Sequence, residues 1–236
     1  MYQAFDLEVI FDNINFTKLF DVYLTRRPDF PVAKPLFEDI PVQDRHGTLT
    51  RKIGYDSDQI ELQFRFVDEY NVKQKMRSIV SWLNGKRKFV LSDDETVYRT
   101  IQRIDFSNVT NNIKQMADFV VTLKVEPFWY EDDGIVIIED TDQHIITNPS
   151  SEEAKTYIEI FGEGQCEVII NGETIRMTDV QGSVVVDGIL EEAYDHLIGR
   201  NNNMSGKYPI LISGDNVVQI AENTTKVEIH KRWCWR

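Results

Sequence analysis

Residues 60–66 read Ile-Glu-Leu-Gln-Phe-Arg-Phe, a strict alternation of apolar and polar side chains. Alternation with a period of two is typical of a β-strand that buries one face and exposes the other. Residues 119–125, Phe-Val-Val-Thr-Leu-Lys-Val, repeat the alternation before Pro127 ends it. Both segments therefore predict strands with one face in a core.

The segment between these two strands carries the one convincing helical signal. Asn71 is a suitable N-cap, and Asn84-Gly85 is a suitable end. The apolar positions between them follow the 3.6-residue period of a helix: Val72, Met76, Ile79, Val80 and Leu83.

Two further segments complete the first half of the chain. Phe89–Leu91 and Val97–Ile101 flank the polar residues 92–95, which predicts a hairpin. Residues 108–117, Asn-Val-Thr-Asn-Asn-Ile-Lys-Gln-Met-Ala, are interpreted as a loop that joins strands.

The second half reads almost entirely as short strands. Residues 166–177 give the strongest hairpin signal, because Asn171-Gly172 supplies the two positive-φ positions of a type I′ turn. Further strand signals follow at short intervals, at 157–161, 184–186, 209–212, 217–220 and 227–229. Many short strands separated by turns indicate a β-sandwich or jelly roll. We place a domain boundary near residue 130, giving domains 1–130 and 131–236.

Four prolines at positions 28, 31, 35 and 41 interrupt the first domain. Proline and the residue before it favour extended backbone, and proline cannot donate to a sheet ladder. We expect residues 28–41 to form a projecting arm instead of a packed element.

The net charge of −13 is unevenly distributed. Residues 1–128 carry 18 basic and 19 acidic side chains, whereas residues 129–236 carry 8 basic and 20 acidic ones. A near-neutral first half can pack against copies of itself without strong repulsion, and an acidic second half repels phosphates. We therefore expect no sequence-specific nucleic-acid binding.

No set of residues predicts catalysis, a cofactor or a metal site. Cys166 and Cys234 lack the spacing of a metal site or a disulfide framework. Glu192 and His196 would share a helix face, but no second histidine lies nearby, so a helical or irregular surface turn is the preferred interpretation. The sequence shows neither a secretory signal nor an apolar run of the roughly 20 residues that a membrane helix needs, so we expect folding in a cytoplasm and no membrane insertion.

Three tryptophans are candidate aromatic anchors: Trp129, Trp233 and Trp235. Tryptophans of this kind pack in cores and between domains, and exposed ones are hot spots of protein interfaces or platforms for sugars. The sequence alone does not choose between these interpretations.

An ordered set of landmarks resembles the distal tail proteins of siphophages. Asp44-Arg45-His46-Gly47, continuing to Arg51 and Gly54-Tyr55 ahead of the strand at 60–66, is similar to a motif of that family, although Asp44 stands where glycine is commoner. Further landmarks match in order along nearly the whole chain: 79–85, 89–94, Tyr98, 119–128, Asn148-Pro149, 157–164, 168–172, Val186-Asp187, 192–194, 205–209, 214–216 and 227–233. The chain is similar to the short form of the family.

The resemblance implies a mainly β protein and a homohexameric ring. An N-terminal β-sandwich with one α-helix and a projecting arm would form the ring, and a C-terminal galectin-like or jelly-roll β-sandwich would decorate it. The ring would join the tail tube protein to tail-associated or baseplate proteins, and receptor-binding proteins are a further possible partner. Such a protein assembles in the host cytoplasm and resides at the virion tail tip. The candidate ring interface is Asp44, Arg45, His46, Gly47, Arg51 and Tyr55.

Two other functions remain as alternatives to a structural ring. A glycan-binding adhesin would stack sugars on Trp233, Trp235 or Tyr208. A cell-wall hydrolase would need carboxylates such as Glu192 in a cleft.

Overall fold

A computed structural model describes residues 7–44, 46–67, 71–107, 110–113, 116–131 and 134–236. The chain divides into two compact units, one made of residues up to Trp129 together with Arg236, the other of Tyr130–Trp235. Strands predominate in both units, and the predicted fold class, mainly β with β-sandwich architecture, is confirmed.

The first unit contains ten strands and two helices among its described residues. In chain order these are β1 (Val9–Phe11), β2 (Ile14–Asn15), α1 (Phe16–Phe20), β3 (Tyr23–Leu24), β4 (Pro35–Pro41), β5 (Thr48–Tyr55), β6 (Asp58–Val67), α2 (Val72–Leu83), β7 (Lys88–Leu91), β8 (Asp94–Phe106), β9 (Thr110–Ile113) and β10 (Met116–Val125).

The strand β8 connects the two halves of the first unit's sheet. Strands follow the order β2-β1-β7-β8-β10-β6-β3. The first part of β8 pairs with β7, with Lys88 opposite Thr100, and its last part pairs with β10, with Val121 opposite Phe106. Because one long strand belongs to both halves, the two apolar faces close on a single core.

The predicted alternation on β6 and β10 is confirmed. Their core-facing residues are at most 2% exposed: Ile60, Leu62, Phe64, Phe66, Phe119, Val121, Leu123 and Val125. The helix α2 covers this core with Met76, Ile79 and Leu83. At its start the Asn71 side chain accepts a hydrogen bond from the Gln74 N–H at 3.1 Å, as the sequence predicted.

Two details of the first unit differ from the sequence-based prediction. The five-residue helix α1 was missed, because one turn is too short to show a helical period; its N-cap Asn15 accepts from the Lys18 N–H at 3.0 Å. The interpretation of residues 108–117 as a loop was wrong for the described part of that segment, since β9 pairs with β10, placing Ile113 opposite Met116. Ladder hydrogen bonds at a sheet edge outweigh the weak strand propensity of the asparagine-rich segment.

The second unit is built around three long antiparallel strands. Its strands are β12 (Ile135–Ile138), β13 (His144–Asn148), β14 (Ala154–Lys155), β15 (Tyr157–Ile170), β16 (Glu173–Asp187), β17 (Glu192–Asp195), β18 (Ile198–Gly199), β19 (Met204–Ser205), β20 (Ile210–Leu211), β21 (Gly214–His230) and β22 (Trp233–Trp235), with a 3₁₀ turn at Asn201–Asn203; β11 (Trp129–Glu131) crosses the boundary between units. The main sheet has the order β12-β21-β15-β16-β17-β18.

The predicted hairpin in the second unit is confirmed. Ile170 lies opposite Glu173, and the connecting Asn171 and Gly172 have φ values of 52° and 83°, as a type I′ turn requires. The expectation that Glu192 and His196 lie in a turn or helix was wrong in part. Residues 192–195 form β17, because Ala193 alternates into the core while its neighbours face outward.

A close backbone approach in the second unit requires a glycine. At Gly162 a Cβ atom would lie 2.3 Å from the carbonyl oxygen of Asn223 and 2.5 Å from the Cys166 sulfur. The pairing of β15 is irregular here, because its register shifts near this point against both β16 and β21. No side chain fits without moving backbone.

We expect Gly162→Ala to lower the free energy of unfolding by about 1–3 kcal/mol, the usual cost of overpacking. The matched control is Gly199→Ala, where a Cβ atom meets nothing within 4 Å. Chemical denaturation of the full chain, followed by fluorescence, measures both variants. Equal midpoints for the two would contradict the steric argument.

Candidate self-association interface

The proline-rich arm is an exposed β-hairpin that forms a sheet of its own. Strands β4 and β5 pair antiparallel, from Pro35 opposite Tyr55 to Pro41 opposite Thr48. All seven residues of β4 and the first six of β5 are exposed. The predicted arm of residues 28–41 is therefore exposed throughout only from Pro35 onward, since Pro28 and Ala33 are buried. No sequence pattern indicated that residues 48–55 would pair with it.

The hairpin carries large apolar side chains that lie outside both described cores. Six large ones are at least 36% exposed: Leu36, Phe37, Ile40, Val42, Leu49 and Ile53. Ile40 lies directly opposite Leu49, so the two form a cross-strand apolar pair. A lone two-stranded hairpin is marginally stable in water, and an exposed apolar patch marks an interaction surface. These properties fit a segment that another chain covers.

The turn of the hairpin contains most of the predicted interface motif. Asp44 has φ of 60° and Gly47 has φ of 82°, both in the left-handed region. Aspartate is one of the few residues besides glycine that adopts this region readily, so Asp44 can fill a position where glycine is commoner. His46 is exposed beside them, and Arg45 lies outside the described residues.

The remaining predicted interface residues lie along β5. Arg51 donates to Glu38 across the hairpin at 2.7 Å, in a solvent-exposed pair. Tyr55 accepts a hydrogen bond from Lys52 at 2.7 Å, and its ring meets Phe128 edge-on with centroids 4.8 Å apart. The structure thus places the five described members of the predicted set on one hairpin, from its turn to its base.

A buried arginine fixes the base of the hairpin. Arg99, on β8, is fully buried and donates to three acceptors. It contacts the carboxylate of Asp58 at 3.3 Å, the carbonyl oxygen of Glu126 at 2.8 Å and the carbonyl oxygen of Pro31 at 3.0 Å. Its guanidinium also lies over the Trp129 ring, 4.6 Å from the centroid. One side chain therefore connects the start of the arm to β6, to β8 and to the end of β10.

This arrangement fixes geometry more than it adds stability. Burying an ion pair costs desolvation energy that its attraction only partly recovers, and the Nε atom of Arg99 is buried without a hydrogen-bond acceptor. Removing one member, however, leaves an uncompensated charge in the core. The pair makes any other position of the arm's base unfavourable.

Sequence reasoning missed both Arg99 and Asp58, although a signal existed. Arg99 is two residues before Ile101, so both point to the same face of β8, and Ile101 is buried. A cation at a core-facing position of a strand is rare unless it is paired. That position could have identified Arg99 as a buried structural cation.

The three candidate aromatic anchors have different environments. Trp129 is partly buried against the first core, with its ring 6.0 Å from that of Phe30. Trp233 is 1% exposed in the second core, so its ring cannot contact a sugar or a partner at the surface. Trp235 is half-buried, and its Nε1 donates to Glu131 at 3.1 Å. Burial thus corrects the expectation that Trp233 could be an exposed anchor.

The described residues do not assemble a recognisable catalytic or metal site. Burial raises the pKa of the Cys166 thiol, and it raises the pKa of Cys234 to about 12, so neither is poised as a thiolate nucleophile. Both cysteines are free. Within the described ranges, no three His, Cys, Asp or Glu residues are grouped to hold a metal, and no helix is long and apolar enough to span a bilayer.

Solved structures identify the fold. The Dit protein of phage SPP1, described as a paradigm of the hub of the adsorption apparatus in phages that infect Gram-positive bacteria, aligns over 95% of this chain and 98% of its own with a TM-score of 0.63 and 11% identity. This chain has a phage Dit-like fold.

Baseplate structures of phage P2 agree with that assignment. The activated form with calcium aligns over 96% of this chain and 97% of its own, with a TM-score of 0.54 and 10% identity. The activated form with strontium aligns over 94% of this chain and 97% of its own, with a TM-score of 0.50 and 10% identity. No protein-family profile and no curated protein sequence matches the chain. At this identity the likeness concerns the fold, and function has to be argued from surfaces.

We expect Arg99→Met to lower the free energy of unfolding by about 3–5 kcal/mol, because Asp58 would remain buried without its counter-ion. Arg51→Met is the matched control, since its ion pair with Glu38 is exposed and contributes little. Denaturant titration of both variants gives the comparison. If Arg99→Met were as mild as the control, the buried pair would not be the constraint on the arm.

Proposed function

We propose that this chain is a structural hub protein of a phage or prophage tail tip, and that it acts by self-association instead of catalysis. Six copies form a ring that joins the tail tube protein to tail-associated or baseplate proteins, with receptor-binding proteins as a further partner. The exposed apolar hairpin of β4 and β5 is the observation that carries this proposal. The Dit-like fold over nearly the whole chain agrees with it.

The hairpin supports self-association for two physical reasons. Each of its strands pairs on one side only, so each leaves an edge of ladder groups open to another chain. Its six exposed apolar side chains, burying together, supply a hydrophobic driving force. Because Arg99 fixes the base of the hairpin, a neighbouring copy meets it already ordered, which lowers the entropic cost of association.

A contact between two different surfaces of identical copies can close into a ring. An arm that packs on a different surface of the next copy makes a head-to-tail contact, which closes when the rotation between copies divides a full turn. The near-neutral first half of the chain tolerates this crowding, whereas the acidic second half suits the periphery. The number six comes from the resemblance to distal tail proteins.

The proposed location is the virion tail tip, reached after assembly in the host cytoplasm. Neither a cofactor nor a reaction belongs to this proposal. Contacts with the tube and baseplate proteins would be made by the two faces of the ring.

The glycan-binding alternative has less support. Of its proposed platforms, Trp233 is buried, Trp235 is held by Glu131 and Tyr208 is half-buried against the second core. An exposed, flat aromatic ring is the feature that sugar stacking needs. Binding on a glycan array by a chain that remains monomeric would favour this alternative over the ring.

We expect the double variant Ile40→Ser/Leu49→Ser to lose self-association, because it removes the exposed apolar pair of the hairpin while leaving the cores untouched. The matched control is Ile145→Ser/Ile212→Ser, two exposed isoleucines of the second unit, at 69% and 50% exposure. Sedimentation velocity at micromolar concentration should give a hexamer for the wild type and the control, and a monomer for the arm variant.

Two outcomes would contradict the proposal. One is a wild-type chain that stays monomeric, also when the tube protein is added. The other is an arm variant that assembles as well as the control does.

A further inference from the structure

The near-neutral first half of the chain contains a strongly basic segment. Residues 71–91 contain six basic side chains and no acidic one, in a chain whose net charge is −13. The six are Lys73, Lys75, Arg77, Lys86, Arg87 and Lys88. These residues form α2, the turn after it and β7, so the positive charge is concentrated on one part of the first unit.

Part of this segment lines an open groove between α2 and β8, with a volume of about 420 Å³. We name it the basic groove and define it by Val80, Lys86, Arg87, Arg103, Ile104 and Phe106. Val80 is 39% exposed, and Ile104 and Phe106 are partly buried against the core. Ser81 and Gly85 also line the groove, and their small size keeps it open. The site thus combines an apolar wall with cations.

The three cations of the basic groove differ in how far they are neutralised. Lys86 is 3.6 Å from Asp12 and lies over the Trp82 ring at 4.3 Å. Arg103 pairs with Asp105 at 2.7 Å in an exposed contact. Arg87 is exposed and has no ion-pair partner in the part of the chain that the structure describes. An incoming carboxylate would therefore meet Arg87 without displacing an existing partner.

The second unit carries a surface of complementary chemistry at the edge of its sheet. We name it the acidic edge and define it by Ile189, Leu190, Glu191, Glu192, Leu197 and Ile198. Its four aliphatic side chains are 45%, 59%, 101% and 61% exposed, in chain order. Glu192 begins β17, and Glu191 precedes it and pairs with Lys155 at 3.3 Å in an exposed contact. The strand β18 is the last of the sheet. Exposed leucines next to carboxylates suit a groove with an apolar wall and cations at its rim.

The acidic edge is held in place by buried polar contacts. Asp187 accepts hydrogen bonds from the backbone N–H groups of Ile189 at 2.8 Å and Leu190 at 3.1 Å. The same carboxylate accepts hydrogen bonds from Nη1 and Nη2 of Arg232, at 2.8 and 2.9 Å. Since Asp187 is 2% exposed, the turn is anchored in the protein interior. The part of the acidic edge formed by Ile189 and Leu190 is therefore ordered and loses little entropy when it binds.

We infer that the acidic edge of one copy docks into the basic groove of the next copy. This inference rests on the proposed ring, to which it adds a second contact besides the arm. The two surfaces differ, so the contact is head-to-tail, as a ring requires. Apolar burial supplies affinity, and the charges select the partner and its register.

Another copy fits the basic groove better than nucleic acid does. Phosphate backbones are bound by cations along an extended stripe, whereas here two of the three cations are already paired and the wall is apolar. The second unit of another copy offers both carboxylates and aliphatic side chains. It is also present at the same concentration as the groove itself.

Charge reversal on each surface, followed by mixing, tests this inference. Arg87→Glu changes the basic groove, and Glu191→Lys/Glu192→Lys changes the acidic edge. We expect each variant alone to self-associate about tenfold more weakly or worse, because like charges then face each other. In a one-to-one mixture the two variants can alternate around the ring. The reversed edge of one variant then meets the reversed groove of the other, and the native edge of the second meets the native groove of the first. We expect the mixture to regain wild-type assembly in sedimentation velocity.

Arg26→Glu and Glu163→Lys are the controls, because they are charge reversals at exposed residues that belong to neither surface and should assemble as the wild type does. If the wild type forms rings but the charge variants also assemble normally, this inference is overturned and the proposed ring stands. The same holds if the one-to-one mixture stays dissociated. A groove variant that assembles normally but loses binding to a fluorescent single-stranded oligonucleotide would also overturn it. A wild type without any ring would instead refute the proposed function.

Discussion

The structure of the first unit depends on one buried cation. Arg99 lies in the core, where it joins Asp58 to the backbone carbonyls of Pro31 and Glu126. Each of these groups belongs to a different segment, and one of them begins the arm. Apolar residues in place of both Arg99 and Asp58 could pack as well, but they would not specify where the arm leaves the core. The hairpin therefore has a defined origin, although its strands are exposed among the described residues.

The sequence predicted the elements whose residues divide between core and solvent. The alternation of residues 60–66, the cap at Asn71 and the Asn171-Gly172 turn each have a local physical cause, and each is confirmed. The pairing of β4 with β5 was not predictable in this way. Both faces of that hairpin are exposed, so its sequence lacks the binary pattern that signals a strand. The motif at 44–55 lies on the exposed hairpin that carries the proposed interface. The core-facing position of Arg99 is visible in its spacing from Ile101, but the acceptors that it contacts depend on tertiary structure.

Charge is arranged at a finer scale than the two halves of the chain suggest. The first half is near neutral only because the basic segment 71–91 offsets acidic residues elsewhere in it. Local separation of this kind lets one chain present both a cationic groove and an anionic edge. Identical chains can then recognise each other head-to-tail without any other protein, which agrees with a ring built from one component.

In the proposed ring, copies of this chain close on one another through the first unit. Negative-stain electron microscopy of the purified full chain makes such a ring visible. We expect class averages with six equal lobes around a central hole. Compact particles without a hole at every concentration, also after the tail tube protein is added, would contradict it.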